Sequence, residues 1–245
     1  MNYKGRLILA ACVVLTTALM VVSCINPAKG YLNIGNKYFG QGRYDEAIAE
    51  YTKALELDPQ LARAFNNRGV AYHRKGELDE AIADFDKAIE FEPQYTEAYY
   101  NRGNVYFEMG RFQTAIADYD KAIALYPKFA AAYNSRGYAY LYASGFDRAI
   151  ADFDEAIELN PQLAQAYNGR GLAYRDKNEL DKAIADFSKA IELDPNYAEA
   201  YFNRAYAYHR KGGEVAKARS DLEKCIETST DPRLLDAAKQ LLERL

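Results

Sequence analysis

The sequence predicts an all-α fold, a right-handed superhelical solenoid of about six helix-turn-helix repeats closed by a C-terminal capping helix. Three observations predict it. Five segments align without a gap: A-F-N-N-R-G-V-A-Y from Ala64, A-Y-Y-N-R-G-N-V-Y from Ala98, A-Y-N-S-R-G-Y-A-Y from Ala132, A-Y-N-G-R-G-L-A-Y from Ala166 and A-Y-F-N-R-A-Y-A-Y from Ala200. Their starts lie 34 residues apart each time, and a diverged copy, G-Y-L-N-I-G-N-K-Y, begins at Gly30. Within each period apolar residues recur at helical spacing. Prolines punctuate the periods at Pro59, Pro93, Pro127, Pro161 and Pro195. A fixed period of this length belongs to stacked units rather than to one globular core. That shifts the expected function from catalysis towards holding a partner.

The chain opens, over 1–24, on a segment with the logic of an export signal. Lys4 and Arg6 supply a positive start, and Leu7–Val22 is an uncharged apolar run. Val21-Val22-Ser23-Cys24 follows and resembles the bacterial lipobox, in which the Cys thiol is diacylated and the leader is cut just before it. The resemblance implies lipidation at Cys24, because the thiol is the acylated nucleophile and a small residue before it fits the peptidase. Two other readings stay open: an uncleaved membrane anchor, since the uncharged run approaches the about 20 residues needed to span, and a plain secretory signal. All three leave the basic end inside and the repeats outside the cytoplasm. The expectation is a bacterial cell-envelope protein held by lipid, with Ile25 after the Cys favouring the outer membrane over the inner. Residues 25–29 form a short tether.

Six units are expected over 28–61, 62–95, 96–129, 130–163, 164–197 and 198–232. In the second, Ala62–Lys75 reads as one helix and Leu78–Phe91 as another. Gly76 suits a turn with positive φ, and Pro93 biases Glu92 away from α geometry. Leu78, Ala81, Ile82, Phe85, Ala88 and Ile89 form the inward stripe. Glycine recurs on the first helix at Gly35, Gly69, Gly103, Gly137 and Gly171. A mid-helix glycine costs about 1 kcal/mol against alanine, so its recurrence implies close approach of the paired helix. Arg68, Arg102, Arg136, Arg170 and Arg204 share one position, and the same copies carry Asp84, Asp118, Asp152, Asp186 and Asp221 on the second helix; the first copy has Ile34 and Glu50 instead. An Arg–Asp bridge between paired helices is the expectation, setting register more than adding net stability. Residues 233–245 are expected to cap the stack, with Asp231 as N-cap and Pro232 at the first helical position.

Bulk properties agree. Hydrophobic residues make up 49%, enough for a core, and 22 tyrosines sit largely at repeat positions. Net charge is −4, or about −6 once Lys4 and Arg6 leave with the leader (29 basic against 35 acidic residues). Such a surface is poorly suited to nucleic acid, which needs a positive face. Of three cysteines two lie in the leader, and Cys225 takes a repeat position where other copies have Ala. No disulfide framework is expected.

The repeat is similar to the tetratricopeptide repeat, whose pattern of aromatic, Gly, Tyr, Ala, aromatic, Ala and Pro falls here on Phe65, Gly69, Tyr72, Ala81, Phe85, Ala88 and Pro93. The last copy departs, with Ala205 for the Gly, Cys225 for the Ala and an extra residue at Gly212-Gly213, as a terminal repeat can. The resemblance implies that first helices line a concave groove for protein or peptide segments. Its inward positions carry over to Asn66, His73, Arg74, Tyr100, Asn104, Phe107, Asn134, Tyr138, Leu141, Asn168 and Arg175. Asparagine can donate to and accept from a peptide backbone, and aromatic faces bury side chains at little entropic cost. Tyr99, Tyr133, Tyr167 and Tyr201 belong to the core positions. The carboxylate clamp of some members is not expected, because Leu32 and Glu97 stand where its lysines would be.

Sequence motifs for catalysis are missing. No P-loop, H-E-x-x-H or G-x-S-x-G occurs, and His73 and His209 are four repeats apart. The expectation is a non-enzymatic membrane-anchored scaffold with no cofactor, no metal and no small-molecule substrate. The alternative is a regulatory accessory subunit of an envelope enzyme or of an assembly or secretion machine.

Overall fold

The structure, a computed structural model, describes residues 27–245. The lipidation site expected at Cys24, with the whole leader, lies outside the described residues. Among the described residues there are thirteen helices and no strand. They are α1 (Pro27–Gly40), α2 (Tyr44–Leu57), α3 (Ala62–Lys75), α4 (Leu78–Phe91), α5 (Thr96–Glu108), α6 (Phe112–Leu125), α7 (Ala130–Tyr142), α8 (Phe146–Leu159), α9 (Ala164–Asp176), α10 (Leu180–Leu193), α11 (Ala198–Lys211), α12 (Val215–Thr228) and α13 (Pro232–Glu243). The chain divides into two compact units between Asn101 and Arg102, inside α5. Each is described by itself.

The hairpin α3–α4 shows how a repeat builds itself. Ala81, Phe85 and Ala88 are fully buried, as the period of α4 predicts. Burying a side chain as large as Phe85 stabilises by about 1.5–3 kcal/mol. Gly69 on α3 faces that ring: a Cβ there would stand 2.8 Å from Phe85 Cε1. The glycine is therefore the steric condition for the close helix pair. Gly76 ends α3 at φ 79°, and its N–H donates to the carbonyls of His73 and Tyr72. The equivalent turn residues in two later repeats are Ser144 (φ 60°) and Asn178 (φ 64°), side-chain-bearing residues in the left-handed region.

The Arg–Asp bridges are present and bidentate. Arg68 Nε and Nη2 donate to the two oxygens of Asp84 at 2.7 and 2.8 Å. Arg102–Asp118, Arg136–Asp152, Arg170–Asp186 and Arg204–Asp221 repeat the geometry at 2.6–2.8 Å. The third nitrogen reaches the second helix of the preceding repeat. Arg68 Nη1 donates to Thr52 Oγ1, Arg136 Nη1 to Asp120, Arg170 Nη1 to Asp154 and Arg204 Nη1 to Ser188. Each of these forks thus ties three helices. Burial pushes the Asp84 and Asp152 carboxyls above the usual carboxylate range, against the pull of Arg68 and Arg136. Burial also opposes the charge on those guanidiniums, but their bonds to aspartate more than reverse it and hold both above the ordinary range. Two short charge-assisted bonds per pair keep both partners ionised.

In the first unit the core gathers Leu32, Ala47, Tyr51, Ala54, Leu55, Ala64 and Ala71. In the second, Phe153 and Phe187 are fully buried, and Ala238 and Leu241 of α13 pack with Ala198, Ala205, Leu222 and Cys225. Asp231 accepts the Arg233 N–H at 2.9 Å and Pro232 opens α13. The extra residue of the last hairpin falls in its turn, where Gly212 and Gly213 both take positive φ. Arg204 and Asp221, now 17 residues apart instead of 16, still pair. Tyr133, Tyr167 and Tyr201 are half-buried, each with an arginine of its own repeat (Arg136, Arg170, Arg204) over the ring at 5.4–5.9 Å.

Candidate functional site

The first helices of the second unit carry two cavities that share Tyr138, Tyr142 and Tyr197. One, of about 380 Å³, is lined by Asn104, Phe107, Tyr119, Asn134, Ser135, Gln165 and the shared tyrosines. The other, of about 450 Å³, adds Leu141, Asn168, Leu172, Arg175, Asp176, Glu199 and Asn203. Of the residues the sequence singles out, Asn104, Phe107, Asn134, Tyr138, Leu141, Asn168 and Arg175 are therefore brought together. Asn66, His73, Arg74 and Tyr100 belong to the first unit, where a cavity of about 220 Å³ is lined instead by Asn36, Phe39, Tyr51, Asn67 and Val70.

Aromatic rings dominate the surface of the cavity of about 380 Å³. Tyr142, 61% exposed, stacks on Phe112 with centroids 5.4 Å apart and meets Phe107 edge-on at 5.5 Å. Tyr138 packs edge-on against Phe153 at 5.1 Å, and its hydroxyl donates to the Gln165 carbonyl at 2.9 Å. Burial raises the Tyr138 and Tyr197 hydroxyls above the ordinary phenol range, so both stay neutral. Arg175 lies with its guanidinium 5.7 Å from the Tyr206 ring centre and pairs with Asp176. The first cavity is thus an aromatic trough with neutral donors and acceptors, whereas the second also carries the charges of Arg175, Asp176 and Glu199. Among the described residues no group of three His, Cys, Asp or Glu side chains is gathered to hold a metal.

The asparagines differ from the expected peptide-facing set. Asn66 and Asn168 are 5% and 4% exposed. Their Oδ1 atoms accept from the next repeat's Asn101 and Asn203 amides, each at 3.0 Å. Asn104 accepts the Tyr119 hydroxyl at 2.8 Å, and in the first unit Asn36 accepts both the Tyr51 hydroxyl at 2.9 Å and the Asn67 amide at 2.8 Å. These bonds hold helices together. The signal was in the sequence: copies with Tyr on the second helix (Tyr51, Tyr119) carry Asn on the first (Asn36, Asn104), whereas copies with Phe85, Phe153 or Phe187 carry Val70, Tyr138 or Leu172. Tyr197 was missed as a site residue. Its position is large and apolar or aromatic in every full period (Leu61, Tyr95, Phe129, Leu163), which marks packing and not a groove.

The comparisons with known proteins agree with this architecture. The family described as TPR repeat matches residues 35–76, 71–110, 145–175 and 171–212, and that described as Tetratricopeptide repeat matches 96–129 and 198–232. The chain belongs to the tetratricopeptide repeat (TPR) family. Its TPR repeats make it an all-α protein–protein interaction scaffold, a fold that is typically non-catalytic. Among solved structures, MamA is similar at 33% identity and TM-score 0.62, over 68% of this chain and 97% of that one. YrrB, described as a TPR protein with an unusual peptide-binding site, matches at 28% identity and TM-score 0.60 over 78% of this chain and 97% of that one. A chain of the APC/C hetero-tetramer Cut9-Hcn1 matches at 24% identity and TM-score 0.76 and shares the fold; it is matched over 89% of the TPR chain, which spans only 42% of its length. No curated protein matches the chain.

Proposed function

We propose that this TPR protein is a membrane-anchored adaptor that holds a peptide segment of a partner protein on the first-helix face of its second unit. The observation that carries the reading is the pair of adjoining cavities around Tyr138, Tyr142 and Tyr197, the first walled by aromatic rings and uncharged polar groups and the second bordered also by Arg175, Asp176 and Glu199. A trough of that chemistry suits an extended or helical peptide whose side chains enter between rings. YrrB, a relative of the same fold, is described as carrying a peptide-binding site. The anchor rests on the leader: Lys4 and Arg6, an apolar run and Cys24 at a lipobox position. Two or three acyl chains hold a protein firmly where one does not. The location proposed is the bacterial cell envelope, outer membrane favoured, with the repeats outside the cytoplasm.

Crosslinking from Tyr142 in the native host tests the groove. A photoreactive residue there should capture a protein that the Tyr138→Ala variant loses, while both variants keep the helical content of the parent. Capture indifferent to Tyr138→Ala removes the groove from the reading. For the anchor, radiolabelled palmitate should enter the parent chain and not Cys24→Ala. Equal labelling would remove lipidation at that thiol.

A further inference from the structure

Asn134 is 8% exposed, and its Oδ1 is the one buried side-chain oxygen without a hydrogen-bond partner among the described residues. The cause is visible in the register. Asn66 is satisfied by Asn101 and Asn168 by Asn203, each a donor 35 residues further on. The residue 35 beyond Asn134 is Gly169, which has no side chain to give. The ladder of carboxamides therefore has a missing rung, and Asn134 lines the cavity of about 380 Å³ beside it. A buried acceptor left unmade is destabilising and calls for a partner. In two sister repeats that partner is a primary carboxamide.

We propose that the groove is selective for a peptide carrying a glutamine or asparagine side chain, whose amide N–H bonds to Asn134 Oδ1 and replaces the rung that Gly169 lacks. The residue next to it in the peptide is apolar or aromatic, placed against Phe107 and Tyr142. This rests on the proposed peptide-binding role of the same face and adds to it a chemical specificity. Aspartate and glutamate are excluded, because a carboxylate offers Asn134 Oδ1 no donor and meets a second acceptor instead. Gly169 also sets the geometry: a Cβ there would stand 2.4 Å from Phe153 Cζ, so the ring occupies the space the side chain would need. Sister repeats hold Asn101 with Phe85 and Asn203 with Phe187, so Gly169→Asn is a pairing the fold already tolerates once that ring turns.

The test is selection from a random heptapeptide library on the full chain in detergent, with parent and Gly169→Asn side by side. The parent should enrich Gln or Asn beside an aromatic residue, and Gly169→Asn should lose that enrichment. For a selected peptide, replacing Gln by glutamate γ-methyl ester, which keeps the carbonyl and removes the N–H, should weaken binding to the parent about tenfold. Binding to Gly169→Asn should not respond to that change. If Gly169→Asn does not fold, Asn134→Leu replaces it, and it too should erase the difference between amide and ester. Peptides selected without Gln or Asn, or bound equally as amide and ester, overturn the specificity and leave the groove standing. No selection on the parent at all overturns both.

Discussion

The two sides of each repeat follow different rules. Between the paired helices of a hairpin, five copies carry the same arginine fork on the same aspartate, with Nε–Oδ2 distances that differ by about a tenth of an ångström between copies. Along the first helices the contacts change from copy to copy: at one position carboxamide on carboxamide at Asn66 and Asn168 but no partner for Asn134 Oδ1, and at another phenol on carboxamide at Asn104 where other copies carry Val70, Tyr138 or Leu172. The difference teaches that uniform positions define the architecture and varied positions define what it holds. A fork can be copied because its job is the same in each of those five hairpins. A groove that reads one ligand cannot be uniform.

The largest test of this contrast is to break a fork. Asp152→Ala leaves Arg136 without its buried partner and should lower unfolding free energy by about 3–5 kcal/mol, read by urea denaturation. Asp120→Ala removes the exposed end of the same fork and should change it by about 0–1 kcal/mol. Equal losses would mean that burial does not govern the fork. Next in size is the phenol pair. Tyr119→Phe leaves Asn104 Oδ1 without its donor and should lower stability by about 1 kcal/mol. Adding Asn104→Val copies the Phe85–Val70 arrangement and should recover most of it, with a coupling energy in the double-mutant cycle. An additive cycle would show that the two positions are independent.

A similar magnitude is expected at the turns. Ser144→Gly relieves a side chain at φ 60° and should raise stability by about 1 kcal/mol. Asn178→Gly should raise it less, because Asn tolerates this conformation and Asn178 also accepts from Arg210 at 2.9 Å. A larger gain at 178 would invert that ranking. The smallest effect near neutral pH concerns Cys225, whose thiol is pushed by burial from an ordinary value of 9.0 up to about 11. A raised thiol favours the folded state below the ordinary value, and that contribution is lost as pH rises through about 11. At pH 8 a disulfide reagent should label Cys225 only as fast as the chain opens. Rapid labelling of the folded protein would contradict the burial.

Much of this was legible beforehand because repetition amplifies weak signals. One glycine in a helix says little, but Gly69, Gly103, Gly137 and Gly171 at one period announce a close helix pair. The Arg–Asp fork was readable for the same reason. The groove was harder. Asn66, Asn104 and Asn168 look alike as letters; Asn104 takes its donor from Tyr119 of its own repeat, and only the register between neighbouring repeats shows the donors of Asn66 and Asn168. That register depends on a 35-residue offset rather than 34, because a contact between adjacent first helices runs one position ahead of the repeat itself. Tyr197 is not marked because a large apolar or aromatic residue precedes the first helix in every full period, and nothing local distinguishes the one whose ring also borders a cavity.

Near-identical hairpins bring a hazard in folding. A chain whose segments resemble one another so closely can dock a hairpin against the wrong neighbour, one unit out of step, and stall there. The arginine fork cannot prevent this, since each aspartate would accept any copy's arginine. The irregular first-helix contacts can: Asn203 set against Asn134 would leave Asn168 Oδ1 without its donor, and Gly169 set against Asn66 would leave Asn66 Oδ1 without the donor that Asn101 supplies. The variation that shapes the groove thus also serves as an address, telling each segment of the newly made chain which neighbour is its own.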